Sequence, residues 1–177
     1  MRSVVVYESM YGNTHRVAEL IGEGLARYGD VSVVPVGDAT RELLADAELV
    51  VVGGPTHAHG MSHASTRQAA VEALEDQPDL AMDPDAAGDG VREWLEALGT
   101  IDAKGAAFDT RVDIPAVLSG RASKGIAKRL AHHGLDVVVP PESFLVTKAS
   151  HLEPGEEERA AAWGREVGEV VTGARVE

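Results

Sequence analysis

Val4-Val5-Val6-Tyr7-Glu8-Ser9-Met10-Tyr11-Gly12-Asn13-Thr14 joins an unbroken apolar run to a short polar loop. A run without alternation suits a strand covered on both faces, as in a parallel sheet. The residues that follow carry Val17, Leu20, Ile21 and Leu25 at spacings of three and four, which predicts an amphipathic helix. Gly22 and Gly24 weaken that helix, and Tyr28-Gly29-Asp30 ends it.

The same alternation continues outward. Val31 to Val36 reads as a second strand, followed by a short helix around Arg41 to Asp46. Leu49 to Val52 is a third buried strand that runs into Gly53-Gly54-Pro55, and a helix starts near Ser65 with Ala69, Ala70, Ala73 and Leu74 on one face. Between Glu72 and Glu96 lie nine carboxylates and one basic residue, Arg92. Pro78 and Pro84 within that stretch predict an irregular acidic loop over about 77–90. A short fourth strand, Gly105 to Phe108, opens at Asp109-Thr110-Arg111, and a helix from about Ser119 to His132 buries Ile126 and Leu130. Leu135 to Val139 is the fifth strand, which Phe144 to Val146 extends beyond Pro140-Pro141. The last helix, about Gly155 to Thr172, buries Ala160, Trp163, Val167 and Val170. The expectation is one α/β domain over residues 1–177: a doubly wound, five-stranded parallel sheet of order 2-1-3-4-5 in a three-layer α/β/α arrangement.

A chain of 177 residues suffices for one well-buried core. Without cysteine it has no disulfides, thiolate chemistry or iron–sulfur cluster. No apolar run approaches the ~20 residues that span a bilayer, and the start is too short for a signal-peptide core, so a cytoplasmic protein is expected. A net charge of −13 opposes binding to nucleic acid and favours partners with a basic face.

Open α/β sheets bind ligands beyond the carboxyl ends of their strands, where strand order reverses. Three such loops are expected, Glu8–Asn13, Gly54–Gly60 and Asp109–Val112. In the first, the hydroxyls of Ser9, Tyr11 and Thr14 can donate to phosphate oxygens, Gly12 permits close backbone approach, and the amides opening the next helix face the same point. The loop contains no lysine or arginine, so its grip on an anion comes from neutral donors. The plain alternative is a turn in which Thr14 or Asn13 serves as helix N-cap. Neither a Gly-Lys-Ser/Thr phosphate loop nor a dinucleotide fingerprint is present.

The pattern Ser9, Met10-Tyr11, Gly12-Asn13-Thr14 after a buried strand resembles the phosphate loop of the flavodoxin family. Leu49 to Thr56 resembles the family's third strand and second flavin loop. The resemblance covers nearly the whole chain in element order, and its specific motifs are these two segments. It implies noncovalent FMN, held at the phosphate by Ser9, Met10, Tyr11, Gly12, Asn13 and Thr14. Pro55, Thr56, His57, Ala58, His59 and Gly60 would flank the ring, with a rotating peptide at Gly60. Asp109, Thr110 and Arg111 would cover its pyrimidine end. It further implies one-electron transfer to a redox partner protein with a basic docking face, by a monomer or weak homodimer that is an electron carrier rather than an enzyme. The alternatives are an FMN-dependent NAD(P)H-quinone oxidoreductase, or a binding or regulatory module of this fold that has lost flavin.

Two departures from the family's pattern stand out. The ring-stacking aromatics of the second and third loops are replaced by His57, His59 and Arg111, so less ring area is covered and a cation lies near the flavin. His57, His59 and His63 fall within seven residues, but their spacing is not that of a helical metal motif. A protonatable loop beside the flavin, or simple exposure, accounts for them without a metal.

Overall fold

A computed structural model describes residues 1–57, 59–72, 74, 80–84, 86 and 88–174. Strand β1 (Arg2–Tyr7) occupies the middle of a parallel sheet. It is flanked by β2 (Asp30–Pro35) on one side and β3 (Leu49–His57) on the other. Next to β3 lies β5 (Lys104–Val112), and beyond it β6 (Asp136–Val137) and β7 (Glu142–Val146) share the outer position. A two-residue strand, β4 (Gly60–Met61), folds back antiparallel on the end of β3.

The parallel order therefore agrees with the sequence reading, whereas the strand count does not. Among the described residues the sheet has seven strands, not five. The last predicted strand is cut in two at Pro140-Pro141, because proline lacks the N–H that a ladder needs. The other addition is β4, which the Gly53-Gly54-Pro55 punctuation hid. That punctuation does not end β3, because Gly54 and Pro55 remain paired with Asp109 and Thr110 of an equally long β5.

Alternate residues of β1 feed two cores. Val4 and Val6 face one layer, packed with Val91 and Leu95 of α4 (Val91–Ala97) and with Ile126 and Leu130 of α6 (Ala122–His132). Val5 and Tyr7 face the other, formed by α1 (Asn13–Leu25) and α7 (Glu156–Thr172). The glycines that weaken α1 as an isolated helix have a packing reason. A Cβ on Gly24 would collide with the Ala161 carbonyl, and one on Gly164 with the Ile21 carbonyl, so the two backbones meet where only glycine fits.

Smaller elements differ from expectation. Helix α2 is a single turn, Arg41–Leu44. Helix α3 (Ala64–Glu72) buries Arg67 and Ala70 and leaves Ala69 exposed; Ala73 lies outside the described residues. The helix expected from Ser119 is two pieces, α5 (Ala116–Ser119) and α6, separated at Gly120. Val170 is 50% exposed, although the next residue, Val171, still packs against the core, whereas Ala160, Trp163 and Val167 are core residues. Trp94 is half-buried and donates from its indole to the Ala39 carbonyl at 2.9 Å. Within 77–90 the described residues carry neither helix nor strand. Among the described residues no helix is long and apolar enough to cross a membrane.

Candidate functional site

Helix α1 starts directly beyond the carboxyl end of β1, at the place where the chain steps from β2's side of the sheet to β3's. Gly12 is its N-cap, with φ at 87°, and among the described residues no side chain bonds the open amides of the first turn. Helix α7 begins in the same way, on left-handed Gly155 without a side-chain cap, but α4 and α6 are treated differently. The Thr56 hydroxyl accepts from the Ala122 amide at 2.9 Å, the Asp109 carboxylate from Ser123 N–H at 2.7 Å, and the Glu8 carboxylate from Val91 N–H at 2.8 Å. Side chains from strand ends thus cap α6 and α4, while α1 keeps its donors for something else.

The alternative in which Thr14 or Asn13 caps α1 does not hold. Thr14 Oγ1 lies 2.7 Å from Thr110 Oγ1, and the Asn13 amide donates to the Ser150 carbonyl at 2.7 Å. Ser9 accepts from Gly12 N–H at 3.1 Å, which closes the loop and leaves the Ser9 proton to donate. Tyr11 departs from expectation. Its hydroxyl donates to the Ala70 carbonyl at 2.8 Å, so it is spent on α3, and the residue lines the pocket beside the loop.

That pocket, of about 170 Å³, draws on all three predicted segments: Met10, Tyr11, Asn13 and Thr14; Pro55, Thr56 and His57; Thr110 and Arg111. Val112, Val146 and Ser150 complete it. A family model described as Flavodoxin matches residues 5–92. The chain belongs to the flavodoxin family. Its backbone is similar to that of a flavodoxin from the domain Archaea, with a TM-score of 0.66 and 23% identity, covering 97% of this chain and 99% of that one. It is also similar to oxidised Flavodoxin 1 from Bacillus cereus, with a TM-score of 0.65, 17% identity, and 99% and 100% coverage. A flavodoxin, WrbA-like protein from Agrobacterium tumefaciens gives 0.62, 21%, and 98% and 99%. Comparison with curated proteins gave no match.

Within this flavodoxin-family frame, not every predicted residue reaches the pocket. Asp109 does not, because its carboxylate is held by the Ser123 N–H of α6, where it is fully buried as a cap. Burial pushes its carboxyl up from the usual range, opposed by the hydrogen bonds from Ser123. His59 and Gly60 also fall outside the lining. The left-handed residue of the turn is His59, with φ at 74°, whereas Gly60 is paired with His57 in β4. Ala58 lies outside the described residues. Among the described residues no three His, Cys, Asp or Glu side chains converge as metal ligands.

A buried polar network that the sequence reading missed fixes the second loop to the first. Glu8 accepts a short hydrogen bond from Ser62, Ser62 accepts from Arg67 at 3.0 Å, and Arg67 pairs with Glu93 at 3.2 Å. Asp83 of the acidic stretch, 5% exposed, donates its N–H to the Met10 carbonyl at 2.8 Å and bonds His15 at 3.1 Å. Ser150 stands on the turn after β7, which is one more carboxyl strand end. The Lys148-Ala149-Ser150 turn was the available signal.

Burial lowers the His57 pKa, with Glu8 pulling it back up and Arg67 adding to the fall. The fold therefore favours the neutral form of this imidazole. An imidazole whose folded pKa lies below its unfolded value of about 6.5 binds fewer protons folded than unfolded in between, so stability falls as pH drops through that window. Denaturant melts at pH 7.5 and 5.5 should show a loss for the wild type that is smaller in His57→Asn. An equal loss in both would place the pH dependence elsewhere.

Proposed function

We propose that this chain binds FMN at the pocket beyond β1, β3 and β5 and serves as an electron carrier. The observation that supports the reading best is the uncapped start of α1, with Asn13 and Thr14 lining a pocket shared by three strand ends. A phosphate dianion suits such a terminus, because unpaired amides and the helix dipole both favour negative charge. Ser9, Gly12, Asn13 and Thr14 would hold the phosphate, with Arg111 as the cation of the pocket, and Pro55, Thr56, His57 and Thr110 the remainder.

When bound, FMN supplies reversible one-electron chemistry. The chain's own residues orient it, limit water and set the local charge. His57, whose neutral form burial favours, can exchange a hydrogen bond there without adding a charge. A net charge of −13 supports a redox partner with a basic docking face, whose attraction would weaken with salt.

Purified protein, or apoprotein titrated with FMN, is expected to show flavin absorption bands shifted from those of free FMN, with quenched flavin fluorescence. Protein that neither carries nor takes up flavin would reject the reading in favour of a binding module of the same fold. Steady NAD(P)H oxidation with a quinone acceptor would replace the carrier with an oxidoreductase.

A further inference from the structure

We propose that Arg111 supplies the positive charge of the pocket and makes it select ligands that carry a negative one. As an account of how the flavin site chooses its ligand, this rests on the function proposed above.

The loop around Gly12 has no cation, and of the described residues lining the pocket Arg111 alone carries a permanent positive charge. Its guanidinium is held firmly. Nη1 donates to the Ile114 carbonyl at 2.7 Å, the Val112 carbonyl at 3.3 Å and Ser119 Oγ at 3.3 Å. All three partners are neutral. The chain has 29 carboxylates against 16 lysines and arginines, yet among the described residues no carboxylate forms an ion pair with Arg111. Arg111 acts electrostatically on Glu156, whose carboxylate is taken by Arg159 at 2.6 Å and by the Leu145 amide at 2.6 Å. Arg111 Nε is buried without a hydrogen-bond partner.

A half-buried cation that an acidic protein leaves unpaired costs free energy until an anion approaches it. The segment holding it is rigid for a reason visible in the contacts, since Nη1 bonds span residues 112–119. Thr110, its neighbour on β5, hydrogen-bonds Thr14 of the first turn of α1, so Arg111 and the start of α1 line one pocket. A ligand with negative charge completes both, and an uncharged analogue of the same shape completes neither.

FMN and riboflavin differ by the phosphate alone and are the probes, with inorganic phosphate as a third. Binding is followed by flavin fluorescence and by the shift in melting temperature, for the wild type, Arg111→Gln and Arg111→Lys. The wild type should prefer FMN to riboflavin, and the preference should shrink as salt is raised. Arg111→Gln should lose about tenfold in FMN affinity with riboflavin little changed, and Arg111→Lys should recover part of it. An unchanged ratio of FMN to riboflavin affinity in Arg111→Gln overturns the proposal. Should that variant fail to fold, an FMN preference in the wild type that is insensitive to salt overturns it equally. A wild type stabilised by phosphate but blind to both flavins, with the stabilisation lost in Arg111→Gln, rejects the flavin reading and leaves the role of Arg111 standing. A wild type that responds to none of the three probes overturns both.

Discussion

Combining Ser9→Ala with Thr14→Val is expected to weaken FMN binding by about 10²–10⁴-fold while riboflavin loses far less. Hydrogen bonds to a charged group are worth ~1.5–3 kcal/mol each, and a tenfold change in affinity corresponds to about 1.4 kcal/mol, so removing two gives that range. The two hydroxyls have different local duties. Ser9 accepts from the Gly12 amide and sets the curl of the loop, and Thr14 shares a buried hydrogen bond with Thr110. Valine at position 14 would therefore strand the Thr110 hydroxyl and lower stability as well. Comparing the two flavins separates these effects: a merely loosened fold weakens both ligands, whereas loss of phosphate donors weakens only one. Unchanged FMN affinity in the folded double variant would remove these hydroxyls from the site.

The second large effect is on stability. Phe108→Ala should destabilise the protein by ~3–5 kcal/mol, as for other large aromatic truncations in cores. For a chain of this size each kcal/mol moves the melting midpoint by ~2–4 °C, so a fall of roughly 6–20 °C is expected by calorimetry. Phe108 is fully buried in the layer beneath α1 and α7. Its ring packs edge-on against Phe144 at 6.2 Å between centroids and against Trp163 at 6.3 Å, and those two pack on each other at 6.2 Å. The ring also fills the space over Gly53, where any Cβ would collide with it. Truncation leaves a cavity that three rigid neighbours cannot close. A midpoint within about 2 °C of the wild type would show that this layer repacks freely.

The fold was legible in the sequence because its signals repeat. Val4–Tyr7 and Leu49–Val52 are apolar without interruption, and Val17, Leu20, Ile21 and Leu25 keep helical spacing, so each local preference agreed with the parallel sheet. Glycine and proline were less readable, since they mark breaks in isolation and fit in context. Gly54 and Pro55 stay in the ladder because β5 runs on beside them, while Pro140-Pro141 does break its strand. Gly24 and Gly164 look like defects in two helices until those helices are seen to touch.

At the site, the first loop was the best signalled, because its chemistry is local to six residues. What escaped notice was long-range. Nothing near Glu8 indicates that it caps α4, 83 residues away, or that Asp83 reaches back to the Met10 carbonyl. The role of Tyr11 was misjudged for the same reason: its hydroxyl found Ala70, a partner 59 residues away. Asp109 was placed in a loop, and the extra length of β5 converts its neighbourhood to strand, where the Ser123 N–H of α6 holds its carboxylate away from the pocket.

Assigned amide spectra of the isotope-labelled apoprotein, recorded with and without FMN, would locate the phosphate most directly. The amides of Gly12, Asn13, Thr14 and His15 are expected to shift more than any others, with inorganic phosphate moving the same set to a lesser degree. Shifts concentrated elsewhere on the molecule, with those four unmoved at saturating FMN, would contradict an anion site at the start of α1.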